Sequence, residues 1–153
     1  MLHAAILRSP HAHARVRRID LAPALAAPGV RGALGPGEAK GLEEEPGYAG
    51  APVAAVAADT FAQARAALRL VDVDWEELEA VLDPHEAVAR GQFTTEPERH
   101  ERGDIERALA EADVVVERTY RTSVVLHNSM ETHQAVCEWI GDTLNVYIST
   151  QYI

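Results

Sequence analysis

Seven consecutive residues in the middle of the chain, Pro52-Val53-Ala54-Ala55-Val56-Ala57-Ala58, carry no polar side chain. Successive side chains of a strand point to opposite faces, so this run is apolar on both and reads as a buried strand. The next residues constrain the fold further. Asp59-Thr60 is a helix-capping signal. Phe61, Ala64, Ala67 and Leu68 then recur at helical spacing, predicting a helix over 61–70 with those four on one face. Val71, Val73 and Trp75 alternate with Asp72, Asp74 and Glu76, which predicts a half-buried strand.

The flanks add shorter elements. Residues 2–8 read as a strand stopped by Ser9-Pro10, and 14–20 as a second strand with a slip near Arg17-Arg18. A helical turn over 22–27 closes at Pro28-Gly29, before a short strand over 30–34. Residues 35–50 hold Pro36, Pro46, several glycines and Glu43-Glu44-Glu45; they predict an exposed loop, the first place to expect disorder. Asp83-Pro84 starts a short helix to about Arg90. The polar stretch 91–103, with Pro97, is the expected linker. Asp104 caps a helix over 105–111, residues 114–122 read as a strand, and Gly141-Asp142 joins two strands in a hairpin. The fold class is α+β (mixed α/β): a domain over 1–90, a linker over 91–103, and the start of a second, truncated domain over 104–153.

Charge and cysteine count exclude several function classes. A formal net charge of −10 argues against a general nucleic-acid binder, which needs a basic face, and disfavours an anionic membrane surface. The single cysteine, Cys137, excludes an internal disulfide framework and an iron–sulfur cluster held by this chain's own thiolates. No run approaches the roughly 20 apolar residues of a membrane span, and the start lacks a signal-peptide pattern, so the cytoplasm is the expected compartment.

Local chemistry names no reaction. Asp72, Asp74 and Glu76 resemble a cation site or acid/base pair, yet their alternation puts them on the wet face of a strand. His11 and His13 lie two apart, and His127 and His133 six apart, without a third ligand at zinc-like spacing; loop placement or a hydrogen-bonding role is expected for the first pair. Cys137 reads as a buried structural thiol with nothing nearby to lower its pKa. Neither a glycine-rich phosphate loop nor a nucleophile elbow is present.

A resemblance goes further. Leu7-Arg8-Ser9-Pro10-His11-Ala12-His13-Ala14-Arg15-Val16, followed by Ile19-Asp20 and Pro28-Gly29-Val30, resembles the start of the large subunit of molybdenum hydroxylases, the xanthine dehydrogenase/aldehyde oxidase family. That part of the family is its a/b hammerhead domain. Gly50 followed by 51–58, Ala64-Arg65-Ala66-Ala67 and 71–76 resembles the same domain's central strand–helix–strand. Gly103-Asp104, Ala112-Asp113-Val114-Val115-Val116-Glu117 and Tyr120 resemble the entry to the molybdopterin-binding region; His127, Met130-Glu131, His133 and Ser149-Thr150-Gln151 continue it.

The resemblance implies an oxidoreductase subunit. Its molybdenum–pterin cofactor hydroxylates an aldehyde or aromatic N-heterocycle with oxygen from water. Electrons then pass to iron–sulfur clusters and a flavin on other subunits or domains. Expected partners are the remainder of the large subunit, the iron–sulfur and flavin subunits, and a small-molecule substrate. His127, Met130 and Glu131 are the candidate cofactor contacts; no catalytic residue and no metal ligand is expected within the chain. Two departures stand out. Many members carry glutamine where this chain has Val125, and a short Gly- and Asp-containing segment that usually precedes the position of Met1 is missing. The chain is expected to be an N-terminal fragment, inactive and cofactor-free alone, that self-associates through residues after Asp113. The alternative is a non-catalytic binding or assembly module of the same fold.

Overall fold

The computed structural model describes residues 1–96 and 98–150. Pro97 of the expected linker and Gln151 of the resemblance lie outside the described residues. The chain divides into two units, Met1–Arg99 and His100–Ile153.

In the first unit, β4 (Pro52–Ala58) is the middle strand of an antiparallel sheet, between β1 (His3–Arg8) and β3 (Val30–Leu34). A middle strand has both edges paired and both faces available for packing, which is why its sequence tolerates no polar residue. Val53, Ala54, Val56 and Ala58 are 0% exposed. Ala5 pairs with Val56 from β1, and Ala33 pairs with the same residue from β3.

Helix α2 (Phe61–Leu68) covers one face of this sheet. Thr60 caps it, its side chain accepting from Gln63 N. Ala64 packs with Ala5 and Ala58, and Ala67 with Val56 and with Ala24 of α1 (Ala22–Leu25). Val30 and Leu68 touch both groups. Alanine on both sides brings helix and sheet close, while the buried valines contribute roughly 1.5–3 kcal/mol each. Phe61, expected on this face, is 53% exposed, with the Arg65 guanidinium 5.9 Å above its ring. It is the first helical residue, and the sheet-facing stripe begins a turn later at Ala64. Gly29 (φ 80°) turns the chain between α1 and β3, and a Cβ there would run into the Gln63 amide.

The sheet's other face carries the alternate positions Ala4, Ile6, Gly32, Leu34, Ala55 and Ala57. It is apolar and partly open: Ile6 is 45% and Leu34 44% exposed.

A second ribbon pairs β2 (Ala14–Asp20) antiparallel with β5 (Asp72–Glu77). Its register shifts between Val16 and Arg18, at the expected slip. Val16 faces Trp75 and Ile19 faces Val73. Two of the acidic alternate positions are ion-paired: Arg18 reaches Asp72 at 2.7 Å, and Glu76 receives Arg17 at 2.6 Å and Arg15 at 3.4 Å.

The expected disordered loop over 35–50 is instead a strap tied down at many points. Ala14 N donates to Pro46 O and Val16 N to Glu44 O, continuing the β2 edge. Glu43 N donates to Pro52 O and Gly50 N to Ser9 O, and Pro46 is fully buried. Glycine and proline here set turns rather than mobility, because the strap's backbone finds partners on neighbouring strands. Beyond β5, Asp83 caps α3 (Pro84–Ala89), accepting from His85 N and Glu86 N.

The second unit holds α4 (Ile105–Ala110), capped by Asp104, and a hairpin of β6 (Ala135–Ile140) and β7 (Thr143–Ile148). Gly141, at φ 59°, makes the turn. The strand expected over 114–122 is not formed: these residues join no ladder among the described strands, and a strand without a neighbour has no partners for its amides and carbonyls. Cys137 is exposed rather than buried. It shares a hairpin face with Ala135, Trp139, Leu144, Val146 and Ile148, and Trp139 on that face is 69% exposed.

Candidate cofactor-binding region

His127, Met130 and Glu131 lie in the irregular stretch between α4 and β6. Asn128 adopts the left-handed conformation (φ 49°), and a bend follows at Met130 and Glu131. The bend comes just before β6, whose ladder is prolonged by Ser149 N donating to Gln134 O. All three candidates are exposed, Met130 fully so at 102%. They are neighbours along the chain, but among the described residues no hydrogen bond joins them.

The described residues therefore do not form a cradle for a pterin. A cradle needs buried polar groups converging on the ligand, and this segment has none. Among the described residues there is also no cluster of three or more His, Cys, Asp or Glu suited to a metal.

His11 and His13 have structural work in the first unit. His11 stands edge-on to Trp75, ring centroids 5.5 Å apart, with Nδ1 3.4 Å from Glu77. His13 reaches the Glu79 carbonyl at 2.7 Å and Glu45 at 3.2 Å. Arg15 grips the same Glu45 through Nε at 3.0 Å and Nη2 at 2.6 Å. The Arg15 and His13 hydrogen bonds, in that order, hold the Glu45 carboxyl below its usual range. An open groove runs beside this cluster, between residues 15–19 of β2 and Pro36, Glu44 and Glu45 of the strap. Sequence reading missed the cluster. Glu45 is some thirty positions from His13 and Arg15, and nothing in a glutamate triplet marks which member will be clamped.

Known proteins supply what local geometry lacks. The family model described as the molybdopterin cofactor-binding domain matches residues 85–153. The nicotine 6-hydroxylase large subunit of Paenarthrobacter nicotinovorans is 32% identical over 98% of this chain and 22% of its own length. The chain belongs to the molybdenum hydroxylase family. Other similar members include the xanthine dehydrogenase of Dictyostelium discoideum, 28% identical over 98% of this chain and 12% of that protein. Among solved structures, quinoline 2-oxidoreductase from Pseudomonas putida 86 is 29% identical, with a TM-score of 0.74 over 98% of this chain and 23% of the other. The chain thus spans about a fifth or less of the hydroxylase relatives just named. Its fold is α+β, as in those molybdenum hydroxylases. No described helix is long and apolar enough to cross a membrane.

Proposed function

We propose that this chain is an N-terminal part of the molybdenum-cofactor-binding subunit of a hydroxylase that oxidises an aldehyde or N-heterocycle with oxygen from water. The proposed organisation is a hammerhead-like domain over 1–90, a linker over 91–103, and the opening of the cofactor-binding domain from 104. The match to the cofactor-binding domain over 85–153 carries the reading. The near full-length similarity to a hydroxylase large subunit supports it.

Two open apolar surfaces support a larger assembly. The face of the β1–β4–β3 sheet away from α2 and the Trp139 face of the hairpin both present apolar side chains to water. Uncovered faces of this kind are what a missing layer leaves behind. The remainder of the large subunit is the proposed cover, with iron–sulfur and flavin subunits as electron acceptors in a cytoplasmic complex.

The bound molybdenum cofactor would supply the oxidising chemistry. His127, Met130 and Glu131 are proposed to line its approach once the rest of the subunit closes over them. No residue of this chain is assigned a proton or electron transfer. The test is turnover of aldehyde and N-heterocycle substrates in ¹⁸O-labelled water by the large subunit that contains this chain, with its partner subunits. Label in the product is expected; a cofactor-loaded complex without turnover would point to an assembly role. The isolated chain is expected to hold no molybdenum, and stoichiometric metal in it would overturn that part.

A further inference from the structure

His13 sits where a neutral imidazole cannot satisfy its neighbours. Its Nδ1 is 2.7 Å from the Glu79 carbonyl oxygen and its Nε2 is 3.2 Å from Glu45 Oε1. A carbonyl oxygen and an ionised carboxylate only accept hydrogen bonds, and a neutral imidazole has a single N–H to give. Both contacts are hydrogen bonds only when both ring nitrogens carry protons. Glu45 is not the donor, because Arg15 grips its other oxygen with two N–H groups and keeps it ionised.

The ring joins three segments. His13 O accepts from Leu78 N at 3.0 Å, next to the Glu79 carbonyl. On the other side lies the strap, bonded to β2 through Ala14 N to Pro46 O (3.1 Å) and Val16 N to Glu44 O (2.9 Å). The charged groups around the ring are few. Glu45 attracts the proton and Arg15 repels it. Glu77 is engaged with His11, the Glu79 carboxylate with Arg90, and Glu76 with Arg15 and Arg17.

We propose that His13 is a proton-operated latch, bridging Glu45 of the 35–50 strap and the Glu79 segment at the start of β2 while it is an imidazolium and releasing Glu45, so that the strap is held less tightly there, when it becomes neutral. The neutral ring keeps one N–H, and the shorter bond to the Glu79 carbonyl retains it. The Nε2 lone pair then faces Glu45 Oε1, acceptor against acceptor. Glu45 stays held by the Arg15 fork of β2, so the strap loses one of its ties and loosens at this corner rather than detaching. Glu45 is also a wall of the groove beside β2, so the same proton changes the groove's shape.

The pH direction follows. The Glu79 carbonyl bond first, and the Glu45 bond second, raise the His13 pKa above its ordinary 6.5. A raised folded-state pKa gives a clamp fully present below the unfolded value and lost as pH rises through the folded one.

The test is a pH titration of the ¹⁵N-labelled chain by NMR. His13 should show two protonated ring nitrogens at pH 6.5 and a midpoint above that value. The amides of Ala14 and Val16, corrected for intrinsic base catalysis, should lose exchange protection across the same range. Glu45→Gln should bring the midpoint down and uncouple the Val16 amide from pH, with the rest of the spectrum kept. A single-tautomer neutral ring at pH 6.5, or a midpoint unmoved by Glu45→Gln, would overturn the proposal.

Discussion

β4 and β6 are both short strands rich in apolar side chains, yet they meet opposite surroundings. β4 has a strand on each edge and α2 on one face, and four of its seven residues are 0% exposed. Among the described strands β6 has one neighbour, β7, and all six of its residues are exposed. The difference teaches that alternation and β-propensity decide which residues can pair, while burial depends on a further layer. A two-stranded hairpin is marginal in water without one. Stability in this chain should therefore be lopsided.

Hydrogen exchange is the bluntest way to break that comparison. The amides of β4 should exchange at least about a thousandfold more slowly than those of β6 and β7, the factor that roughly 4 kcal/mol of extra opening free energy produces. Equal protection by mass spectrometry would mean that the hairpin face is covered in solution.

Matched truncations sharpen the same contrast. Val56→Ala removes two methyl groups from a fully buried site and should lower unfolding stability by about 2 kcal/mol in urea titrations. Val146→Ala, on the hairpin's open face, should stay within about 0.5 kcal/mol, since its side chain is 51% exposed.

The open face should instead reveal itself through association. The chain is expected to self-associate in sedimentation at rising concentration. Trp139→Lys, which places a charge on the face shared with Cys137, Leu144 and Val146, should weaken this at least about tenfold. A strictly monomeric species at high concentration would show that the exposed face is not adhesive.

How far the sequence could be read follows the same line. Strands β2 and β5 are found within a residue of where alternation puts them, β4 where its unbroken apolar run does, and the bulge falls beside Arg17-Arg18, where the alternation breaks. The caps Thr60, Asp83 and Asp104 were also legible, because capping is local chemistry. What was not legible depended on distant partners. The strap looked like a loose loop, since its partners Ala14, Val16 and Pro52 are remote in sequence. Val114-Val115-Val116 looked like a strand and Cys137 looked buried, but among the described residues the first has no mate and the second is exposed. The candidates His127, Met130 and Glu131 came from resemblance alone. Their segment has no periodicity to read, and the described residues do not gather them.

Capping offers a smaller contrast. Thr60→Ala removes the acceptor for Gln63 N at the start of α2, which lies on the sheet, and should cost about 1 kcal/mol. Asp104→Ala removes the equivalent acceptor for Arg107 N in α4, where no residue is buried. It should leave the main unfolding transition unmoved while lowering local helicity. A shift in that transition would show that α4 unfolds together with the first unit.

The smallest expected effect is electrostatic, at the edge of the stable sheet. Arg31 of β3 donates Nε and Nη2 to the two oxygens of Asp59, just after β4, at 2.8 and 2.7 Å. That fork holds the Asp59 carboxyl below its ordinary 3.8. A depressed folded-state pKa stabilises above the unfolded value and stops doing so as pH falls through the folded one. Acid should therefore weaken the first unit below about pH 4, and Asp59→Asn should flatten part of that slope without moving the neutral-pH midpoint as far as Thr60→Ala does. Both partners are substantially exposed, so water screens the pair and the flattening must be modest. A large loss at neutral pH in Asp59→Asn would mean that this carboxylate supports the β3–β4 end through its geometry rather than its charge. The discriminating control is Arg31→Lys, which keeps the charge and gives up the two-pronged fork.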